Sequence, residues 1–407
     1  MYDKRAAEYR KIVERLATDP ASVQIVGGIP LEIMERLIDA GEALGTSGTA
    51  GSYVLASQTA FKCLLMDMMG DAGVRVLLHS AIVDVVKEGA LVQGLVVENK
   101  SGRQIVPAHI VVDATGDGDV AARAGAPFIV GVGPDDLCAR SGMPLGHAHG
   151  LGIMFRIAGV DVERLFAHLR DHPEEFVIQT VAWQDIDEAL ANVRKGETAC
   201  FEIKRNGRCH QIYTSPTPGV LTILCRTVEG CGLDVDALTR GELESAREVR
   251  AQVDMLRRVP GFEQAVLIDI PEIGVRETRH IQGEYKLTIQ DILDRRKFPD
   301  TIGRGAHPID IGSLPEELRK AATVDHWYFN MPYRSLVPLA VDNLLLAGRC
   351  ISATHEASGC TRPTVQCMIT GQAAGTAAAQ CLAAGVSPRN LDANRLRERL
   401  AHDGAVL

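Results

Sequence analysis

The sequence predicts a two-domain α/β protein. The chain has 407 residues, which is long for a single hydrophobic core. Helical patterns alternate with short β-branched runs near both ends, whereas extended runs separated by turns dominate the middle. We therefore expect a discontinuous first domain formed by residues 1–128 and 333–407. Residues 129–332 are expected to form a second domain around a mixed or antiparallel sheet, as a substrate or cap domain.

Composition and charge argue against several classes of protein. The net charge is −9 and hydrophobic residues make up 46% of the chain, which indicates a folded acidic protein without a nucleic-acid partner. No apolar run reaches the roughly 20 residues that cross a bilayer, and the charged start has no signal-peptide pattern. The 10 cysteines show no C-x-x-C pair and no zinc-ligand spacing. We therefore expect a cytoplasmic protein with reduced thiols and no metal. The sequence leaves a homo-oligomer open.

The N-terminal part of the chain has mostly helical patterns. Residues 3–17 have amphipathic spacing, and VGGIPLEIMERLIDAG (residues 26–41) predicts a turn followed by a helix that starts at Pro30. The glycine-rich residues 45–52 are expected to form a loop. Residues 57–69 predict a helix with six apolar side chains on one face. They are Ala60, Phe61, Leu64, Leu65, Met68 and Met69.

Strand patterns follow this helix and continue through the middle of the chain. VRVLLHSAIVDVVKE (74–88), LVQGLVVEN (91–99) and QIVPAHIVVDATG (104–116) predict three short strands with turns between them. Further on, Asn206-Gly207 lies between two extended runs, which is typical of a hairpin turn. A long helix is expected to begin at Thr239 with a capping box.

The last part of the chain returns to an α/β pattern. NLLLAGRCIS (343–352) predicts a buried strand that ends in a Gly-Arg turn. ATHEASGCTR (353–362) is expected to be a loop. The next segment predicts a helix that starts at Pro363 and ends at Gly385.

Two of these stretches have features of a nucleotide site. In DATGDGD (113–119) a strand ends at glycines that allow the backbone to approach a phosphate or a ribose. A tight strand–helix turn without a ligand explains this pattern equally well, whereas the spacing is wrong for an EF-hand calcium loop. The helix that starts at Pro363 directs free N–H groups at whatever precedes it. Its small residues are also consistent with a close-packed alanine helix.

Together the stretches resemble a known family. VVDATGDGDVAARAGAP (111–127) and NLLLAGRCISATHEASGCTRPTVQCMITGQAAGTAAA (343–379) resemble two flavin-binding segments of the FAD-dependent oxidoreductases of glutathione-reductase-like fold. IGVRETRHIQGEYKLTIQDI (273–292) and IVGGIPLEIMERLIDAG (25–41) also resemble segments of that family. The resemblance covers nearly the whole chain. It implies FAD as the cofactor and hydride transfer between the flavin and a small organic substrate.

The resemblance also implies roles for individual residues. Ile82 matches a position whose backbone meets adenine. The turn beside the pyrophosphate and ribose is matched by Thr115, Gly116 and Asp117, and the turn near the ribityl chain by Gly348 and Arg349. The helix whose start approaches the flavin ring is matched by Gly371, Gln372, Ala373 and Ala374, and Arg362 is expected to stabilise negative charge on the reduced ring.

The chain departs from this family at its start. Members of the family open with a βαβ unit that carries G-x-G-x-x-G, and no such motif occurs before residue 111. We expect a truncated first unit, for which a misassigned start, a gene fragment and a diverged protein without FAD are the three explanations. A flavin-free remnant that acts as a binding or scaffold protein is therefore the alternative function. A nicotinamide dehydrogenase is disfavoured because the glycine-rich turns match flavin segments.

Oxidation of an alcohol or an amine also needs a base. The candidates are His355, His280 and His307, and His355 is preferred because it precedes the flavin-facing helix. A structural role in orienting the loop is the alternative. Arg276 and Arg279 fall on opposite faces of a predicted strand. One of them, for which we name Arg279, is expected to bind a substrate carboxylate while the other pairs with Glu277 or Glu284, and a surface ion pair is the alternative.

Overall fold

The computed structural model describes residues 24–44, 55–178, 186–194, 200–205, 208–225, 228–307, 309–311 and 328–407. The predicted helix of residues 3–17, the predicted loop of residues 45–52 and the Asn206-Gly207 dipeptide lie outside the described residues.

Helices occur along the whole described chain. The α-helices are α1 Ile29–Asp39, α2 Gln58–Asp71, α3 Asp119–Arg123, α4 Leu137–Arg140, α5 Val162–Asp171, α6 Ile186–Arg194, α7 Val235–Leu256, α8 Ile289–Leu293, α9 His355–Thr361, α10 Thr364–Ala384 and α11 Ala393–His402. Short 3-10 helices cover Pro173–Glu175, Tyr333–Leu336, Gly348–Cys350 and Pro388–Asn390. Within the described helices, none has an apolar stretch long enough to cross a membrane.

Strands alternate with these helices. They are β1 Ala43–Leu44, β2 Leu55–Ala56, β3 Ala81–Glu88, β4 Leu91–Asn99, β5 Gly102–Pro107, β6 Val111–Asp113, β7 Phe128–Val130, β8 Met154–Ala158, β9 Phe176–Ile178, β10 Cys200–Arg205, β11 Arg208–Thr214, β12 Leu221–Leu224, β13 Val266–Asp269, β14 Arg279–Ile281, β15 Thr301–Gly305, β16 Phe329–Pro332 and β17 Leu344–Leu346.

The chain divides into two compact units. One contains residues 33–74 and 150–275, and the other contains residues 25–32, 75–149 and 276–407. These boundaries differ from the predicted second domain of residues 129–332. The reason is strand pairing, because β14 pairs with β7 and thereby joins the residues after 276 to the second of these units.

The first unit is built on an antiparallel sheet. Its six strands lie in the order β13-β8-β12-β11-β10-β9, and Arg205 faces Arg208 in the predicted hairpin. Phenylalanines form the centre of its core, with Phe155, Phe201 and Phe262 fully buried. The observed sheet agrees with the alternating pattern of the middle of the sequence.

The second unit contains a parallel strand pair, β6 and β17, beside the antiparallel three-stranded sheet β3-β4-β5. The buried side chain of Asn343 links these two elements. Its amide accepts a hydrogen bond from the Val92 N–H at 2.8 Å and donates to the carbonyl oxygens of Val92 and His109. The aliphatic strand β17 is completely buried, and the Gly-Arg turn follows directly after it.

Two sequence predictions about helices are wrong. Helix α7 begins at Val235, because the Asp234 side chain caps it through the Asp236 N–H. The predicted loop of residues 353–362 is largely helix α9, with Thr354 as its N-cap. Helix α2 forms where the sequence predicts a helix, and none of its residues is buried.

The first predicted strand also begins later than expected. Residues 74–80 are outside any strand, and β3 begins at Ala81. The apolar side chains of Val74, Val76, Leu77 and Leu78 are accordingly exposed.

Candidate active site

Two glycine-containing turns lie side by side in the second unit. Strands β6 and β17 run parallel, with Val111 opposite Leu344 and Asp113 opposite Leu346. Both turns leave the carboxyl ends of these strands, which is the edge where α/β sheets bind ligands. The two sequence motifs are therefore brought together, although more than 200 residues separate them.

The first turn is held in shape by a buried carboxylate. Asp113 accepts hydrogen bonds from the Thr115 N–H at 3.1 Å, the Thr115 hydroxyl at 2.7 Å and the Ala121 N–H at 2.8 Å. Gly116 has a φ of +82°, a left-handed conformation that glycine adopts without strain. Hydrogen bonds to Asp113 thus hold the backbone of this predicted ligand-binding turn where it leaves β6.

The second turn reaches across to the first. Arg349 Nη2 contacts Asp117 Oδ1 at 3.1 Å, and a Cβ atom on Gly116 would collide with the Arg349 guanidinium. Gly348 also has a φ of +82°, and its N–H donates to the Thr370 hydroxyl at 2.9 Å. A guanidinium and left-handed glycines therefore converge at one sheet edge.

Arg279 contacts the residues of the first glycine turn. Its Nη1 donates to the Asp117 carbonyl and to Asp119 Oδ1, both at 2.9 Å, and the guanidinium lies 5.2 Å from the centre of the Phe128 ring. The ion-pair partner of Arg279 is thus Asp119, and the side chain is partly buried. Among the described residues, none of the hydrogen bonds of Arg279 reaches the histidine cluster described next.

A buried cluster of histidines surrounds Glu277. The carboxylate accepts from His355 Nδ1 at 2.8 and 3.0 Å, from His280 Nε2 at 2.6 Å and from the backbone N–H of His149 at 2.8 Å. The rings of His149 and His355 stack with their centres 4.7 Å apart. Because an ionised carboxylate only accepts, both imidazoles that contact it act as donors.

Burial and hydrogen bonding shift the pKa values in this cluster. Burial alone would raise the pKa of Glu277, but hydrogen bonds from His280 and His355 outweigh it and hold the pKa well below the ordinary value. Burial lowers the pKa of His149 to about 4. For His355, burial opposes the charged form, yet the hydrogen bond and charge of Glu277 raise its pKa.

Several buried polar atoms of this region have no hydrogen-bond partner among the described residues. They are His149 Nε2, His280 Nδ1, His355 Nε2 and Glu356 Oε2. The other oxygen of Glu356 accepts from the Cys138 N–H at 2.6 Å. Unpaired buried polar atoms are rare and often mark functional sites.

The residues of α10 that the resemblance assigns to the cofactor helix lie beyond its first turn. Ala373 and Ala374 are completely buried in the core. Gln372 Oε1 accepts from the Ile29 N–H at 3.0 Å, and Gly371 has open space where a Cβ would lie. These residues follow the first turn of the helix, whereas free N–H groups occur only in that first turn.

The remaining predicted residues have other surroundings. Arg362 precedes α10, but its guanidinium forms an ion pair with Asp310, which offsets its charge. Ile82 lies in β3 opposite Val97 and packs against the core. His307 follows β15.

The sequence analysis missed the centre of the histidine cluster. Glu277 was considered only as an ion-pair partner, and His149 was not singled out. The nitrogen and oxygen atoms of His149, Glu277 and His355 lie within 4.8 Å of one another, so these residues could hold a metal ion. For His149 the one sequence signal is the pair of histidines in GHAHG, and the three residues are far apart in the chain.

A protein-family model described as FAD dependent oxidoreductase matches residues 10–400. No curated protein matches the chain at the level of sequence.

Similar solved structures are distant. A geranylgeranyl bacteriochlorophyll reductase-like protein from Thermoplasma acidophilum is 12% identical with a TM-score of 0.39, covering 89% of this chain and 66% of its own. A myxobacterial chondrochloren halogenase, a variant of FAD-dependent halogenases, is 11% identical with a TM-score of 0.42, covering 91% and 66%. L-proline dehydrogenase from P. horikoshii is 10% identical with a TM-score of 0.30, covering 88% and 64%. The chain thus spans about two thirds of the length of these proteins.

Proposed function

The chain belongs to the FAD dependent oxidoreductase family, and from this premise we propose that it transfers a hydride between a small organic substrate and FAD. The observation that carries the proposal is the meeting of the two glycine turns at one edge of the parallel strand pair. When bound, FAD supplies the group that accepts or returns the hydride. The glutathione-reductase-type arrangement of the cofactor domain belongs to the same proposal.

The residues of the two turns fit this cofactor. Arg349 presents guanidinium N–H groups of the kind that pair with phosphate oxygens, and it occupies the space that a side chain on Gly116 would fill. In our proposal Thr115–Asp117 and Gly348–Arg349 hold the pyrophosphate and ribose region. Arg279 then acts as a positioning residue, because it fixes Asp117 and Asp119.

The histidine cluster supplies a base for the same reaction. The Glu277 carboxylate holds His355 by Nδ1, so the unpartnered Nε2 is the atom available to take a proton. In the oxidation of an alcohol or an amine, His355 would accept the proton of the hydroxyl or amine group while the carbon loses its hydride. Glu277 orients the imidazole and favours its charged form.

Anaerobic reduction of the FAD-loaded chain tests this proposal. Small alcohols, amines and hydroxy acids would be supplied with hydrogen or with deuterium on the reacting carbon, and flavin bleaching would be followed. We expect bleaching that slows with deuterium. The His355→Gln variant should be about 100-fold to 10,000-fold slower, and the matched control His402→Gln, whose side chain is 80% exposed, should keep the wild-type rate. Equal rates for these two variants, or bleaching that is insensitive to deuterium, would contradict the proposal.

A further inference from the structure

Three ligand-type side chains meet in the interior of the second unit. Glu277 Oε1 and Oε2 lie 2.8 and 3.0 Å from His355 Nδ1, and Glu277 Oε2 lies 4.0 Å from His149 Nε2. Zinc takes nitrogen and carboxylate ligands at about 2.0–2.2 Å, which places ligands of one tetrahedral ion about 3.3 Å apart. The observed separations bracket this value, so small side-chain rotations would bring all three atoms to coordination distance.

We propose that His149, Glu277 and His355 bind one divalent cation of the zinc class. Two imidazoles and one carboxylate form a set that suits Zn²⁺ or Fe²⁺, whereas Mg²⁺ and Ca²⁺ prefer oxygen ligands alone.

An unpartnered nitrogen supports this site independently. The His149 side chain is 6% exposed, and its Nε2 has no hydrogen-bond partner among the described residues. It faces Glu277 Oε2 across 4.0 Å, which is too long for a hydrogen bond. A cation between these two atoms would satisfy the nitrogen and keep the carboxylate ionised.

The surrounding residues would orient the ligands. His280 Nε2 donates to Glu277 Oε1 at 2.6 Å, and the His149 backbone N–H donates to Oε2 at 2.8 Å. Asp136 Oδ2 accepts from the His355 backbone N–H at 3.3 Å. Metal sites regularly have such outer hydrogen bonds, which hold the ligand side chains in place.

The charges in this part of the unit also favour a cation. Asp136 and Glu356 are buried carboxyl side chains close to His355, and one oxygen of Glu356 has no partner among the described residues. The nearby Arg362 is already paired with Asp310. A divalent cation would therefore add positive charge beside these carboxyl groups, where His280 and His355 already donate to Glu277.

A bound cation has one consequence that rests on the proposed function. With the metal on His355 Nδ1, the imidazole keeps its proton on Nε2 and has no lone pair for a substrate proton. Metal binding and proton acceptance by His355 therefore exclude each other, and the cation would act as an inhibitor.

The test is a zinc titration of the full chain after removal of metals with a chelator. Calorimetry and elemental analysis after dialysis should give one zinc ion per chain. The Glu277→Gln and His149→Gln variants should each bind at least about 100-fold more weakly, since even outer hydrogen-bond partners of metal ligands are worth about 10-fold to 100-fold. The exposed group of His172, Glu174 and Glu175 provides a matched control, and His172→Gln should leave the tight site unchanged.

Cobalt substitution of the wild-type chain makes the test independent of variants that fail to fold. One Co²⁺ per chain should give the intense visible bands of a low-coordinate nitrogen and oxygen site. Absence of a stoichiometric zinc ion, a hydrated-cobalt spectrum, or loss of zinc in His172→Gln but not in folded His149→Gln would overturn the proposal. The titration needs neither FAD nor substrate, so its failure would leave the proposed hydride transfer standing, and the reverse also holds.

Discussion

Replacing Gly116 with alanine should separate cofactor binding from backbone strain. Gly116 has a φ of +82°, and a Cβ there would collide with the Arg349 guanidinium. Gly89, in the turn between β3 and β4, has a φ of +60° and nothing within 4 Å of an added Cβ. The variant Gly89→Ala is therefore a control with left-handed strain but without the collision.

The magnitudes follow from these surroundings. Left-handed alanine costs about 1–2 kcal/mol in both variants. Gly116→Ala also displaces Arg349 from Asp117, a pair whose side chains are 23% and 25% exposed, which adds about 0.5–1 kcal/mol. If Arg349 holds a phosphate of FAD, its displacement removes a charge-assisted hydrogen bond worth about 1.5–3 kcal/mol, or about 10-fold to 150-fold in Kd.

Urea unfolding of the apoprotein and quenching of flavin fluorescence measure the two effects separately. We expect both variants to lose stability, with Gly116→Ala losing more, and only Gly116→Ala to bind FAD more weakly. Equal FAD affinities in the two folded variants would refute the assignment of the first turn to the cofactor.

Further variants test other parts of the account. Asn343→Ala should lower the free energy of unfolding in urea by about 3 kcal/mol, because it leaves buried backbone groups without partners. The control Asn390→Ala, at an exposed position, should change stability little, and similar losses in the two variants would contradict the reasoning. Burial opposes the charged form of Asp291, but its carboxylate accepts hydrogen bonds from the Thr288 N–H and hydroxyl and from Tyr285 and Arg296. These bonds hold the pKa of Asp291 below the ordinary 3.8. A group whose pKa is lower in the folded state stabilises the protein at pH values above its pKa in the unfolded state. The stability lost in Asp291→Asn should therefore be largest above about pH 4 and shrink as the pH falls below that value. A loss that does not depend on pH would show that the charge does not contribute. Gly371→Ala should stabilise α10 by about 1 kcal/mol, since a Cβ there meets nothing within 4 Å. The variant should leave the Kd for FAD unchanged, and a higher Kd would indicate that this residue does face the cofactor.

The sequence predicted those parts of the fold that depend on local patterns. The aliphatic run of β17, the glycine turn after β6 and the end of α10 at Gly385 are all observed. Each is set by the chemistry of neighbouring residues, such as the left-handed glycine that ends a helix.

Features that depend on tertiary packing were not predictable in this way. Helix α9 forms in a segment that contains Ser358 and Gly359 because all its residues are buried and Thr354 caps its start. The exposure of α2 contradicts an apolar pattern that local spacing alone would bury. For the candidate site, the sequence identified both turns but not the cluster around Glu277. Two of its histidines, His355 and His149, lie 78 and 128 residues from Glu277 in the chain.

Hydrogen exchange measured by mass spectrometry with and without FAD tests the central claim most directly. The account predicts that FAD slows exchange in peptides covering residues 114–118 and 347–350, and leaves the turn at Gly89 unaffected. Saturating FAD that protects other segments but neither of these two turns would contradict the account.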